Sequence, residues 1–383
     1  MINILHICMD EKFIDGAITM FTSLKAVNSS FYIYSEKKNI SFVKNDNIII
    51  FSSFEKILSL ANRNEYDVVM IHSLFVPYYI VLQIKIPIIW STWGYDIYSD
   101  ESAPLKKIFS ASLYKLKTRN LLEDSSQNNF SGLTGLFFLL KNKMRNLKEQ
   151  YKYTRIAKKT SFFATVLPEE FESIKQKFPT ASYCPFHYFS EPLRCSKASR
   201  STQFKPNRIL LGNSNDPTNN HYDILEKLNS LNTSLEIIIP FSYPFKDSEY
   251  NNRLPKEAEN FKNLKITFLK DFIERDKYFQ LIDSCSTAIF GHIRQQAVGN
   301  ITYCLMTGKK IFFYQDSILF RHYRDYGYTI FSLEKDLNKK ELETDLSSSG
   351  QENNKKKCSE EWNYDKQIKE LQLFFQNLER SDK

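Results

Sequence analysis

Short, unbroken apolar runs rich in Val, Ile, Leu and Phe recur along the chain, with amphipathic stretches between them. In the first half they are INILHIC from Ile2, NIIIF from Asn47, DVVMIH from Asp67 and IPIIW from Ile86. In the second they are RILLG from Arg208, LEIIIP from Leu235, LKITFL from Leu264, TAIFG from Thr287 and KKIFFY from Lys309. Strands covered on both faces read as continuous rather than alternating apolar runs, so each set predicts a parallel sheet flanked by helices. Two sets predict two α/β units, a division that suits 383 residues better than a single core does.

The polar stretch SEPLRCSKASRSTQFKPNR, with Pro192 and Pro206 and no period, predicts a linker. The expected division is therefore an N-terminal Rossmann-like domain over 1–189, a linker over 190–207 and a second Rossmann-like domain over 208–345. A low-complexity segment over 346–360, expected to be mobile, and a C-terminal helix over 361–383 follow. That helix sets Ile368, Leu371 and Leu373 or Phe374 near one face.

With only 10 glycines, each one marks a place where a side chain is unwelcome. Gly94, Gly212 and Gly291 follow predicted strands, and Gly308 follows a helical pattern as a cap would. Ligands of open α/β sheets bind outside the carboxyl ends of the strands, so the first three glycines point to candidate chemistry.

Three stretches carry it. In RILLGNSNDPTNNH, a strand runs into Gly212, Asn213 and Ser214, and Asp216-Pro217 starts a helix with Asp as N-cap. Free N–H groups at a helix start suit a phosphate, although an ordinary βα turn has the same pattern. In TAIFGHIRQQAVGN, Arg294, Gln295 and Gln296 precede Gly299 and Asn300 at a helix start, where side-chain donors and the helix dipole would hold a diphosphate. A loop solvated by its polar residues is the plainer alternative. In IPIIWSTWGYDIY, Trp90, Trp93, Gly94 and Tyr95 surround Asp96 at a strand end. This suits a sugar platform in an acceptor cleft with a carboxylate base, or an aromatic cluster closing the core with Asp96 capping a turn. Asp15 is the alternative base.

There is no G-x-G-x-x-G and no Walker lysine loop, which argues against dinucleotide and kinase chemistry. The six histidines lack metal spacing, and the six cysteines form no CxxC pair, so free thiols and no metal or other cofactor are expected. Between Leu105 and Thr160 the chain carries 13 Lys and Arg against 3 acids, so its net charge of +8 resides there. Lys106, Lys107, Lys115, Lys117, Arg119, Lys141, Lys143 and Arg145, interleaved with Leu and Phe, predict either a patch for an anionic membrane surface or a solvated face. No nucleic-acid partner is expected. The start MINILHICMDEKF has no basic region and reads as a buried strand, and the longest apolar stretch is broken by His72, Pro77, Gln83, Lys85 and Pro87. A cytoplasmic, surface-bound or soluble protein is expected.

WSTWGYDIY, FFAT with the following Phe178-Pro179, ILLGNSNDPTNNH, IIIPFSYP and RQQAVGNITYCLMTGKKIFF occur together and in order. Over roughly residues 60 to 320 the chain thereby resembles the bacterial lipid II 4-acetamido-4,6-dideoxygalactose transferases, glycosyltransferase family 56. The resemblance implies the GT-B fold, two Rossmann-like domains facing a central cleft, on the cytoplasmic face of the inner membrane. It implies transfer of a 4-acetamido-4,6-dideoxyhexose from a dTDP-sugar to an undecaprenyl-diphosphate-linked saccharide during assembly of enterobacterial common antigen, O-antigen or capsule. By position it would set Gly212, Asn213, Ser214, Arg294, Gln295, Gln296, Gly299 and Asn300 around the donor diphosphate, with Tyr243 and Phe272 near sugar or base. The rival classes are a non-catalytic nucleotide-sugar-binding or membrane scaffold protein and a GT-B-like nucleotide-sugar epimerase.

Overall fold

Every apolar run becomes a strand, and the strands assort into two sheets whose pairings are all parallel. The computed structural model describes residues 1–25, 27–37, 39–98, 113–126, 133–188, 205–244 and 249–381. The first sheet holds β1 (Ile2–Met9), β2 (Val27–Tyr34), β3 (Ile49–Phe51), β4 (Val68–His72), β5 (Ile88–Ser91), β6 (Phe162–Ala164) and β7 (Ser182–Tyr183), in the order β3-β2-β1-β4-β5-β6-β7. The second holds β8 (Lys205–Leu211), β9 (Leu235–Pro240), β10 (Leu264–Leu269), β11 (Cys285–Phe290), β12 (Lys310–Phe313) and β13 (Phe331–Ser332), in the order β10-β9-β8-β11-β12-β13. β4 and β11 are buried at every position, as strands covered on both faces must be.

In each sheet the chain order reverses once, between β1 and β4 and between β8 and β11. The loops at the carboxyl ends of those strands border the crevice where ligands of such sheets bind.

The chain divides into unit 1, Met1–Ser110 with Phe137–Glu191 and Trp362–Lys383, and unit 2, Ala111–Leu136 with Pro192–Glu361. Both units therefore borrow from regions expected to lie elsewhere. The helix Leu116–Ser126 joins unit 2 because the Asp223 carboxylate accepts from the amides of Lys117 (2.9 Å) and Thr118 (2.8 Å), and Leu121 enters that core. The C-terminal helix Tyr364–Ser381 joins unit 1, burying Leu371 and Phe375 beside Phe21, while Leu373 is exposed.

Two expectations are corrected. The segment expected to be low-complexity and mobile contains the helix Ser348–Glu361, whose buried face is Gly350, Asn354 and Cys358, four residues apart. Asn354 fixes it by accepting from the Thr329 amide (2.7 Å) and donating to the Thr329 carbonyl (3.0 Å). The expected linker over 190–207 ends early, since β8 starts at Lys205; its other residues, Cys195 included, lie outside the described ones. The remaining five cysteines are buried free thiols.

Candidate active site

In unit 2 the two loops that sequence reasoning singled out meet at the switch point. After β8, Gly212 adopts φ +70°, and a β-carbon there would lie 2.3 Å from Asn219 Oδ1. At Gly291, after β11, it would lie 2.3 Å from the Asn219 carbonyl oxygen. The room left by both glycines is taken by the turn at Asn219 rather than by space for a ligand, which corrects the expectation for Gly212. Asn219, fully buried, is the hub: its Oδ1 accepts from the Asn213 amide (3.0 Å) and His292 Nε2 (2.8 Å), and its Nδ2 donates to the carbonyls of Ser214 (3.2 Å) and Asp216 (2.8 Å). An amide oxygen only accepts, so His292 carries its proton on Nε2, and burial holds it neutral by pushing its pKa well down.

Side chains then lace one loop to the other. Gln296 Nε2 donates to Asn213 Oδ1 (3.1 Å), and Gln296 Oε1 accepts from Thr218 Oγ1 (2.8 Å). Arg294 pairs with Asp216 at 3.2 Å, both side chains being largely buried at 11% and 17% exposure. Asp216 caps the start of a short turn, Pro217–Asn219, by accepting from the Thr218 amide at 2.9 Å, as the sequence predicts. That turn is only one 3₁₀ turn; a left-handed Asn220 separates it from the helix His221–Ser230. The anion-ready helix start expected there is thus displaced by the resident carboxylate of Asp216. The helix Val298–Met306 has no side-chain cap, and Gly299 and Asn300 lie in its first turn. Asn300 Nδ2 donates to Tyr278 OH (3.0 Å), which holds this helix to its neighbour. At the carboxyl ends of the adjoining strands, Tyr243 after β9 and Phe272 after β10 are exposed, Phe272 at 85%. The Tyr243 carbonyl accepts from the Asn215 amide at 2.8 Å, joining a third loop to the cradle.

Unit 1 treats its aromatic stretch differently. Trp90 is core, and Asp96 is 1% exposed beneath the loop. Its oxygens accept from Trp90 Nε1 (2.8 Å), the Trp93 amide (2.9 Å) and the Leu74 amide (3.1 Å). Burial raises its pKa while these three donors pull it down. Asp96 therefore braces the ends of β4 and β5, and a carboxylate so enclosed gives an acceptor hydroxyl no approach. The general-base expectation is corrected to a positioning role. Asp15 is likewise spent, accepting from the amides of Lys44 (2.9 Å) and Asn45 (3.0 Å). Trp93 is half-buried and packs edge-on against Phe13, Gly94 turns the chain at φ +87°, and Tyr95 is exposed.

Behind this loop runs a buried chain that sequence reasoning missed. Tyr188 OH accepts from Trp93 Nε1 (2.9 Å) and Ser91 Oγ (3.0 Å), so its own proton goes to His72 Nδ1 (2.6 Å). His72 must then donate from Nε2 to His6 Nδ1 (2.9 Å), and His6 from Nε2 to Ser29 Oγ (3.2 Å). Both imidazoles are neutral, with the His72 pKa pushed down by burial to about 3.

The basic patch dissolves into several roles. Lys115 pairs with Asp316 (2.8 Å), Lys117 with Glu226 (2.9 Å), and Arg119 donates to the Tyr114 carbonyl (3.2 Å), so these three are taken up within unit 2. Lys106 and Lys107 lie outside the described residues, as do the side chains of Lys143 and Arg145. Lys141 is exposed on the helix Leu133–Lys159, which also exposes Met144, Leu147, Lys148, Tyr151 and Lys158. Among the described residues, no helix is long and apolar enough to cross a membrane, and no group of His, Cys, Asp and Glu is arranged to hold a metal.

Two parallel-sheet α/β domains, with loops gathered at the switch point of each, define the GT-B type of fold. HepE from Anabaena, solved with UDP and glucose, superimposes with a TM-score of 0.57 at 10% identity over 99% of this chain and 100% of its own. Sucrose-phosphate synthase from Thermosynechococcus elongatus does so with 0.59 at 9% over the whole of both chains. AviGT4, a glycosyltransferase of avilamycin A biosynthesis, gives 0.53 at 8% over 99% and 98%. At such identities these likenesses show the fold. Residues 140–344 match the model of the 4-alpha-L-fucosyltransferase family, glycosyltransferase group 56, and the chain belongs to that family and is a hexosyltransferase.

Proposed function

We propose that the enzyme moves a 4-acetamido-4,6-dideoxyhexose from a dTDP donor to an undecaprenyl-diphosphate-linked saccharide at the cytoplasmic face of the inner membrane. The observation that carries the donor half is the lacing of the β8 and β11 loops at the switch point of unit 2, which gathers Asn213, Ser214, Arg294 and Gln296. Arg294, Gln295 and the uncapped start of the helix Val298–Met306 take the diphosphate, and the exposed rings of Tyr243 and Phe272 take the base. That HepE was solved with UDP and glucose supports a nucleotide sugar as donor. The acceptor belongs to unit 1, at the loops after β1, β4 and β5. Adsorption to anionic lipid rests on the helix Leu133–Lys159, where Lys141, Met144, Lys148 and Tyr151 recur at spacings of three and four residues, with Lys158 two turns on, and so share a face.

A panel of nucleotide sugars assayed against a prenyl-diphosphate glycan tests this reading. Release of dTDP coupled to glycan extension is expected. Donor epimerisation, or binding without turnover, would hand the protein to the epimerase or scaffold class.

A further inference from the structure

The loops after β8 and β11 leave neighbouring strands at the switch point of unit 2, and the side chain of Asn219 reaches both. It lies fully buried at the end of the turn Pro217–Asn219. On the β8 side its Oδ1 accepts from the Asn213 amide at 3.0 Å, and its Nδ2 donates to the carbonyls of Ser214 (3.2 Å) and Asp216 (2.8 Å). On the β11 side the same Oδ1 accepts from His292 Nε2 at 2.8 Å. A backbone N–H only donates and a carbonyl only accepts, so the orientation of this carboxamide is fixed.

Both amide hydrogens and both oxygen lone pairs are thereby used, which no carboxylate or hydroxyl of that length could match. Gly212 keeps the seat open, since a β-carbon there would lie 2.3 Å from Asn219 Oδ1. The residues gathered for the donor hang on this one side chain. Asn213 and Ser214 are gripped through their own backbone, and Arg294 and Gln296 follow His292 by two and four residues.

We infer that Asn219 is the positioning residue of the donor site, setting the diphosphate-binding groups of the two loops against each other, with His292 as its hold on the second loop. The inference rests on the reading above that a dTDP-sugar binds at the laced loops. Asn219, being fully buried, acts through Asn213, Ser214 and His292 rather than on the ligand. Groups already ordered bind more tightly than groups that must be ordered on binding. The diphosphate draws on that order, whereas a nucleoside, which would meet Tyr243 and Phe272, does not. Loss of Asn219 should therefore be felt through the phosphates.

Calorimetric titration of dTDP and of thymidine into the wild type, Asn219→Ala, His292→Ala and His292→Gln tests the assignment. Asn219→Ala is expected to bind dTDP about tenfold more weakly while thymidine stays within about twofold of the wild type. His292→Ala is expected to lose about fivefold for dTDP, the net worth of one hydrogen bond. His292→Gln, whose side-chain N–H can donate at the same reach, is expected to recover most of that loss, which a general loosening of the fold would not produce. Should Asn219→Ala not fold, the two His292 variants decide. Asn219→Ala binding dTDP within about twofold of the wild type, equal losses for dTDP and thymidine, or His292→Gln no better than His292→Ala would overturn the positioning role and leave the donor site standing. A wild type that binds no dTDP would overturn the donor reading, and the positioning role with it.

Discussion

The two switch points are built on the same frame and secured in opposite ways. In unit 2 the strand-end loops are laced to each other through side-chain amides, with Asn219 and Gln296 spanning the gap and the Arg294–Asp216 pair set among them. In unit 1 a single buried carboxylate, Asp96, braces the loop ends from within, while the hydroxyls of Ser73 and Tyr95 hydrogen-bond to each other. A donor diphosphate asks for preorganised hydrogen-bond donors, a demand that the construction of unit 2 suits.

Acid should strain both units. His6, His72, His187, His221 and His292 all have pKa values lowered by burial, to about 3 for His72 and His221 and about 4 for His187. The unfolded chain binds these protons first, so the stability each neutral imidazole contributes is complete above about pH 6.5 and falls by about 1.4 kcal/mol per pH unit as pH drops toward the folded value. Glu170, raised to about 7 by burial, works the other way between about pH 4.5 and 7, as do Asp96 and Glu11, whose carboxyls burial also raises, but these are three groups against five. Thermal midpoints are expected to fall steeply from pH 6.5 to 4.5; a flat profile would show that the histidines are not held neutral.

Next in size is the brace. Asp96→Ala strands an indole N–H and two amides, each costing about 1 to 3 kcal/mol when left unpaired and buried. A loss of roughly 3 kcal/mol or more is expected in chemical denaturation, with turnover falling alongside it. Retained stability with lost turnover would restore Asp96 to the chemistry.

Arg294→Ala is expected to weaken dTDP about 10- to 100-fold, the worth of a charge-assisted contact. It should also lower the thermal midpoint by a few degrees, since Asp216 loses its partner. Asp216→Asn is the smaller and finer test. Asn caps a helix as well as Asp does, so the change removes charge and little else. Relieved of its counter-ion, Arg294 should then bind dTDP up to about fivefold more tightly, within the 1 kcal/mol typical of such pairs. Weaker binding would mean that Asp216 itself touches the donor.

Much of the frame was legible because fully covered strands leave a run of Ile, Val and Phe that nothing else explains. β2 escaped because its first half, Val27-Asn28-Ser29-Ser30, is polar, and Ser29 is needed there to receive the His6 proton. The helix Ser348–Glu361 escaped because its buried face is made of small and polar residues whose partners lie far along the chain. Of the donor-side residues, glycine and amide patterns found the loops, and the structure brings those loops together. They could not reveal that Arg294 is already paired, that Gly212 makes room for Asn219, or that Lys115 and Lys117 spend their charge within unit 2. At Asp96 the sequence left brace and base as open alternatives, and the burial decides for the brace.

The division of labour between the units is tested most directly by calorimetric titration of dTDP into the wild type, Arg294→Ala and Tyr95→Phe at one pH and salt concentration, Tyr95 being exposed after β5 of unit 1. The unit 2 variant should lose about 10- to 100-fold in affinity while the unit 1 variant binds like the wild type. If Arg294→Ala binds unchanged, or Tyr95→Phe weakens as much as Arg294→Ala does, the donor is not held where the laced loops of unit 2 would hold it.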